Sequence, residues 1–479
     1  MIFDEEQMAM KLYYIAWPDG RKEGPMPQDS LFYGMVHGVY KESCLVWTDG
    51  MESWDALYRM FPLPEVKRRR RSLFSLWKRL TGLEGLSVIE FFCSFSQVFR
   101  RHSLQEVIEL TASGTDHTTP SIHELSPTWP KPWLYVRIAL FFLILYIISS
   151  CGLYCLEDGN NMNYVPLHLL TGCMGVPLSV MMFFYECNKR RNLPFWEILK
   201  AFMLGGVLSL FITAVLNLSG ICALGAISAG PVEETAKLLA AILIASAMYK
   251  RDQVHHGLII GCAVGAGFAV FESMGYAFRV FCTEHDVILY YEMFRNGTLA
   301  SPEALYKAVE TSYAHYQYQV ALPFSLEQFV AAPDASISAI QTDLSPNGIM
   351  IIRSILSPLC HVVWTALTAA AFWHVVCLRH SEPGRRRREV SIRTLGAIFT
   401  FGLYLLIPAR SLNRKVDLAV CADHRFLWVF CLTVFLHSLW NSPLSLFQVK
   451  ICIGVISWLL ALMFIKLGVN RIRIEQAAK

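Results

Sequence analysis

From residue 133 onward the chain is a succession of apolar runs separated by short polar or basic breaks. A membrane-spanning helix needs about 20 mostly apolar residues. The runs at 133–153, 165–185, 198–218, 222–248, 256–281, 348–378, 393–409, 427–445 and 450–468 therefore predict nine helical spans, the seventh being the shortest. Ahead of them, residues 1–61 read differently. Tyr13–Ala16 and Cys44–Thr48 fit strands, Pro18-Asp19-Gly20 and Asp49-Gly50 fit turns, and Leu31–Val36 fits a short helix ending at Gly38. Trp17, Trp47 and Trp54 would supply a small aromatic core. Residues 62–132 carry neither pattern. They hold the basic run Lys67–Arg71, then Leu73, Phe74, Leu76, Trp77 and Leu80 interleaved with Lys78 and Arg79, then a proline-bearing tether. Such a basic, amphipathic connector suits an anionic membrane face or a solvated linker helix. The predicted fold class is an all-α polytopic membrane bundle (133–479) preceded by a small α+β module.

Composition narrows the picture further. Of 479 residues, 54% are hydrophobic and 17% charged, against about 25% charged in ordinary soluble chains. The mean hydropathy is +0.39. A single soluble globule, a disordered chain, collagen and a secreted disulfide scaffold are all excluded. The fourteen cysteines form no C-x-x-C pair, so no zinc ribbon or thioredoxin-like site is indicated. A formal charge of +4 is too small to argue for nucleic acid. The basic clusters speak instead of orientation. Arg100-Arg101, Lys189–Arg191, Lys250-Arg251 and Arg385–Arg388 share the cytoplasmic side if the N-terminus is cytoplasmic. The segment 282–347, poor in Lys and Arg, is then an extracytoplasmic insertion. Asp4, Glu5 and Glu6, with no long apolar core beside them, give no sign of a cleavable signal peptide.

Ionisable side chains in hydrocarbon cost about 2.5–3.5 kcal/mol each on insertion scales, so a chain keeps them where they face a polar interior. The deep ones here are Glu233, Glu234, Lys237, Glu272, His361 and His437. Glu233 and Lys237 are four apart and can pair on one helix face, with Glu234 about 100° round the helix. Gly257, Gly261 and Gly265 form a small-residue stripe that permits close helix approach, and Glu272 follows on the same helix. His361 precedes Trp364 by one turn, and His437 shares a face with Asn441. Measured from the outer face, Glu233, Glu272 and His361 lie roughly 14–20 Å deep, so the groups can share one layer. Structural ion pairing between helices explains each group singly; one shared site explains them together.

These pieces, Glu233-Glu234-Thr235-Ala236-Lys237, Phe268-Ala269-Val270-Phe271-Glu272, His361 with Trp364, and His437-Ser438-Leu439-Trp440-Asn441, resemble the PrsW-type glutamic intramembrane peptidases, relatives of the CAAX protease group. The resemblance covers about 222–445. It implies peptide hydrolysis in the membrane, with a single-span membrane protein as substrate. Glu233 or Glu234 would act as general base on water, and His361 and His437 would stabilise the oxyanion. Lys237 would direct the carboxylate, and Glu272 and Asn441 would hold the water or the histidines. It also implies a multi-pass cell (inner) membrane location and regulatory, anti-sigma-factor-like cleavage. No cofactor is expected, because His-Glu-x-x-His is absent. A zinc ion, if bound, would use Glu234, Glu272, His361 and His437. The sequence also lacks a Gly-Asp dipeptide and Gly-x-Ser-x-Gly, the marks of other membrane and serine hydrolases. Tyr14, Trp17, Gly20, Gly24-Pro25, Leu31, Gly38, Leu45-Val46-Trp47, Gly50-Met51 and Trp54 resemble the bacterial GYF-like (GYF_2) module. That implies a cytoplasmic peptide partner held on Trp17, Trp47 and Trp54. The competing class is a transporter or non-catalytic scaffold whose buried charges bind an ion or bolt helices together. Comparing the two halves reveals no internal repeat that would favour transport.

Overall fold

A computed structural model describes residues 12–28, 31, 35, 40, 43–61, 95–112, 114, 118–121, 124–126, 128–155, 162–218, 227–246, 254–316, 322–343, 346–381, 388–400, 415–442 and 447–477. The chain divides into two compact units, Met1–Leu76 and Trp77–Lys479.

The first unit is a four-stranded antiparallel sheet of β1 (Leu12–Ala16), β2 (Lys22–Pro27), β3 (Leu45–Thr48) and β4 (Asp55–Ala56), in the order β2-β1-β3-β4. Strand alternation sends Tyr13 and Ile15 of β1 and Val46 of β3 inward, where they meet Met26, Leu31, Met35, Tyr40, Cys44 and Leu57. The tryptophans are not this core. Trp47 and Trp54 lie half-buried, 6.4 Å apart, and Trp47 is paired with Tyr14 of β1. Trp17 flanks the core beside Tyr40. Residues of one strand two apart share a face, so Val46 fills the inside and Trp47 cannot. Both expected strands are present. The expected helix at 31–36 and the basic stretch at 67–80 fall partly or wholly outside the described residues.

The second unit is helical. Its long elements are α1 (Leu104–Ala112), α2 (Leu134–Tyr154), α3 (Val165–Cys187), α4 (Phe195–Leu218), α5 (Ala229–Ser246) and α6 (Val254–Arg295). Next come α7 (Pro302–Tyr316), α8 (Leu326–Ala331), α9 (Pro333–Asp343) and α10 (Pro346–Ser357). A π turn, Pro358–Val362, joins α10 to α11 (Val363–Ser381). A two-stranded ribbon of β5 (Glu389–Ser391) and β6 (Lys415–Asp417) brackets α12 (Ile392–Phe399), before α13 (His424–Asn441) and α14 (Phe447–Ala477).

Among the described residues six helical stretches are long and apolar enough to cross a membrane: those of α2, α3, α4, α6, the joined α10–α11, and α14. The expected fourth and eighth runs form α5 and α13, 18 residues each, outside that set. Glu233, Glu234 and Lys237 are what set α5 apart. The seventh run yields only the eight-residue α12, and its remainder lies outside the described residues. The fifth run does not stop near 281. No Gly or Pro interrupts the chain from Tyr276 to Arg295, so α6 continues until Asn296-Gly297, where Gly297 takes φ +80°. The described residues of the 282–347 insertion are thus largely helical. Val280 and Val287 of α6 share an apolar core with Leu305, Val309, Phe329 and Ile337 from the following helices.

The apolar stretch of α6 is 83% buried and that of α2 only 17%, which puts α6 at the centre and α2 at the periphery. The central packing is close because of glycine. A Cβ at Gly257 would lie 2.7 Å from the Ala369 carbonyl, and one at Gly265 2.6 Å from that of His361. One at Gly261 would collide with the Thr365 carbonyl. The glycine stripe thus lets α6 lie directly on the backbone of α11 and the π turn. Gly206 of α4 meets Gly267 of α6 in the same way. At the edge, Glu186 of α3 accepts from the backbone N–H groups of Trp133, Leu134 and Tyr135 at 2.8, 2.9 and 2.9 Å. One carboxylate so satisfies three amides at the start of α2 that have no intrahelical partner.

Replacing Gly261 by Val should lower stability by about 1–3 kcal/mol or more, because the contact is with backbone that cannot step aside. Gly454→Ala in α14, where a Cβ meets nothing within 4 Å, should be neutral or stabilise by up to about 1 kcal/mol. Thermal unfolding of the purified protein in detergent compares the two; equal effects would refute the packing argument.

Candidate active site

Four pieces of helix converge. α5 contributes Glu233, Glu234 and Lys237; α6 contributes Phe268 and Glu272; the π turn contributes His361; α13 contributes His437. The local sequence makes each placement. Pro231 sits in the first turn of α5, where its missing N–H costs nothing. Gly230 beside it lets that turn press against the Val434 carbonyl and Ser438 of α13, which sets Glu234 opposite His437. Pro358 opens the π turn that holds His361. A π turn widens the helix locally and is a frequent feature of functional sites. Its carbonyl is taken up by Thr365 Oγ1, which donates at 2.8 Å.

The polar contacts run as a chain. Lys237 Nζ donates to Glu234 Oε1 at 2.6 Å and to His361 Nδ1 at 3.0 Å. Glu234 Oε1 also accepts from His437 Nδ1 at 2.8 Å. Glu272 Oε2 lies 3.3 Å from His361 Nε2 and 2.9 Å from an Arg353 guanidinium nitrogen. Glu233 Oε2 stands between the imidazoles, 3.5 Å from His437 Nε2 and 4.0 Å from His361 Nδ1. Lys237 and the carboxylate of Glu234 are fully buried, and Glu233 keeps 13% of its side chain exposed. Aromatic rings close the walls. Phe268 lies under the Lys237 ammonium at 4.8 Å, and Trp364 packs on His437 at 4.9 Å while its Nε1 donates to Ser457 at 2.8 Å.

Six of the seven predicted catalytic residues therefore meet. Asn441 ends α13, and among the described contacts of the cluster it takes no part. The expected Glu233–Lys237 pair is not the one formed. Positions three and four apart both face Lys237 along a helix. The choice falls to Glu234 because His437 and His361 gather on that side. Glu234 is thus the anchored carboxylate and Glu233 the freer one. Arg353, which joins the cluster through Glu272, is not among the groups the sequence points to. Its position eight residues before His361 on one continuous helix was the available signal.

An ammonium can only donate, so His361 Nδ1 presents a lone pair to Lys237. His437 Nδ1 donates to a carboxylate, which leaves the lone pair on Nε2, facing Glu233. Glu233 Oε2 and His437 Nε2 thus face each other as two acceptors, while the lone pair of His361 Nδ1 is engaged by Lys237. The carboxylates of Glu233, Glu234 and Glu272 also outnumber the cations Lys237 and Arg353. Such a centre takes a proton-bearing group or a cation between its acceptors.

Helices able to cross a membrane, gathered around buried acid, base and imidazole groups, make this a polytopic membrane protein with a polar centre. Residues 193–321 of it match the family model described as PrsW family intramembrane metalloprotease. The match supports that family and an intramembrane protease activity. It holds Glu233–Lys237 and Phe268–Glu272, while His361 and His437 lie beyond it. No curated protein and no solved structure matches the chain.

A family of metalloproteases implies a metal, and the residues fit one. Ligand atoms of Glu233, His361 and His437 all lie within 4.8 Å of one another. Glu233 Oε2 and His437 Nε2 are buried without a hydrogen-bond partner. Two imidazoles and a carboxylate are a frequent ligand set for catalytic zinc. Glu234 and Glu272, named from sequence as ligands, stand instead behind His437 and His361, each against the other ring nitrogen of its histidine or close to it. That is where orienting carboxylates belong.

Lys237→Met should destabilise the protein by about 3–5 kcal/mol, because it strands the buried Glu234 carboxylate. Adding Glu234→Gln should recover part of the loss, since the two side chains act as one unit. Thermal unfolding of the two single variants and the double variant tests this; additive losses would contradict it.

Proposed function

We propose that this protein is an intramembrane endopeptidase that hydrolyses a peptide bond of a single-span membrane protein. The observation that carries the reading is the meeting of Glu233, His361 and His437, from three helices, with Glu233 Oε2 and His437 Nε2 buried and without hydrogen-bond partners. Buried polar atoms without partners are costly, and a water or a substrate group among them removes that cost. Glu233, the freer carboxylate, takes a proton from that water. The water oxygen attacks the scissile carbonyl, and the same proton passes to the leaving amine. Glu234 holds His437 with its lone pair turned toward Glu233, while Glu272 and Lys237 hold His361 at its two ring nitrogens. Lys237 locks the two halves of the site together. Oxyanion stabilisation by the histidines would need a proton on the nitrogen facing Glu233. The bond to Glu234 leaves a lone pair on the His437 nitrogen that faces Glu233, and His361 Nδ1 accepts from Lys237, so neither nitrogen carries that proton, which favours a second form of the same reading. In that form Glu233, His361 and His437 would hold a divalent metal such as zinc, with the Lys237 bond to His361 Nδ1 given up. When bound, such a metal acidifies water and polarises a carbonyl.

The reading places the protein in the bacterial inner membrane with a cytoplasmic N-terminus and the 282–347 insertion outside; nine spans would require α5, α13 and the seventh run to cross besides the six membrane-capable stretches. The half-buried face of Tyr14, Trp47 and Trp54, with Lys22 Nζ 5.2 Å from the Trp54 ring, fits a GYF-like peptide-binding surface on the first unit. Trp17 lies apart from that face. Cleavage of this kind would serve regulated signalling by releasing a membrane-held factor.

Glu233→Gln should leave a folded protein whose cleavage of a single-span reporter falls by about 10²–10⁴-fold. Elemental analysis of the same preparations separates the two forms. Metal present in the wild type and lost in the variant assigns the metal-held form, whereas chelator-resistant cleavage without metal leaves Glu233 alone as base. Full cleavage by both Glu233→Gln and Glu234→Gln would point to the transporter or scaffold class. For orientation, Gly297→Cys in intact cells should react with an impermeant maleimide added outside; protection would invert the topology.

A further inference from the structure

Arg353 is a charged side chain at the wall of the site that the mechanism above does not use. It lies on α10, about two turns before His361 on the same continuous helix. One guanidinium nitrogen stands 2.9 Å from Glu272 Oε2, and the guanidinium carbon lies 3.9 Å from the centre of the Tyr276 ring. Its Nε is buried without a hydrogen-bond partner, although the side chain as a whole is 27% exposed. Tyr276 is 41% exposed. Next to it on α6, Gly275 has open space where a side chain would stand. The guanidinium is thus fixed by a carboxylate on one edge and an aromatic face below, with donors left over, where the cluster opens outward.

A guanidinium carries five N–H donors in a rigid fork, far more than one carboxylate contact consumes. A helical substrate must unwind before its peptide bond can be cut, and unwinding frees backbone carbonyls that have no water to bond in the hydrocarbon layer. We propose that Arg353 binds a backbone carbonyl of the unwound substrate segment next to the bond that is cut, with Tyr276 packing against the same segment. The inference rests on the peptidase reading and assigns that site a substrate-positioning residue. Through Glu272 the same arginine also steadies His361, so the two effects must be separated.

The test uses the full chain in detergent and a fluorescent single-span reporter peptide. Binding is read in the Glu233→Gln background, and kcat and KM in the active protein. Arg353→Ala should weaken reporter binding by about 10–100-fold, the range of one charge-assisted hydrogen bond. KM should rise in parallel, and kcat should change less. Arg353→Lys should restore part of the binding, because it keeps the charge but not the fork. Glu272→Gln should act the other way, lowering kcat with little change in binding. If Arg353→Ala proves unfolded by thermal scan, Arg353→Lys and Arg353→Gln carry the comparison. Unchanged reporter binding in the folded arginine variants, or a fall in kcat alone, overturns the proposal. A wild type that binds the reporter and never cleaves it instead defeats the peptidase reading.

Discussion

One ammonium, that of Lys237, holds the polar centre together. It sits fully buried between a carboxylate of its own helix and an imidazole from another. In an interior of low dielectric such a cation persists only with acceptors at contact distance. Lys237 has two, and their positions dictate the rest. Glu234 is drawn to it and presents its shared oxygen to His437. His361 turns its Nδ1 to it and its other nitrogen to Glu272. Glu233 is left between the two rings. The division of labour between adjacent glutamates follows from which one the lysine engages.

Much of this was legible in the chain. Costly groups in apolar runs announce a polar interior, and four such groups of motifs at compatible depths announced a single one. The small-residue stripe of α6 was also readable, since its spacing alone tells which face another helix can approach. Other points could not be read. Lys237 has a glutamate at both three and four residues' distance, and local geometry does not choose between them; partners on distant helices do. The role of Arg353 depended on Glu272, a residue some eighty positions earlier in sequence. The length of α6 was misjudged because hydropathy fades after 281 while helix-forming residues do not. The tryptophans of the first unit were misplaced because bulk suggested a core where strand alternation put smaller side chains.

The backbone matters as much as the charged groups. Gly230 brings α5 against α13, and Gly257, Gly261 and Gly265 bring α6 against α11 and the π turn. Each absent side chain shortens the distance between two elements around the polar centre. The π turn at Pro358–Val362 adds a local widening just where His361 must reach both α5 and α6. Side-chain chemistry of short reach therefore becomes sufficient: a lysine, three glutamates and two imidazoles touch in series without long arms.

The uninterrupted course of α6 has a mechanical meaning. Glu272 and Arg295 stand on one continuous helix, about 35 Å apart along its axis. Val280 and Val287 weld the upper part of that rod into the helical insertion. A rigid bar cannot turn at one end and stay still at the other. The helical insertion and the carboxylate beside His361 are therefore parts of one continuous element, so a tilt or twist of one end is felt at the other.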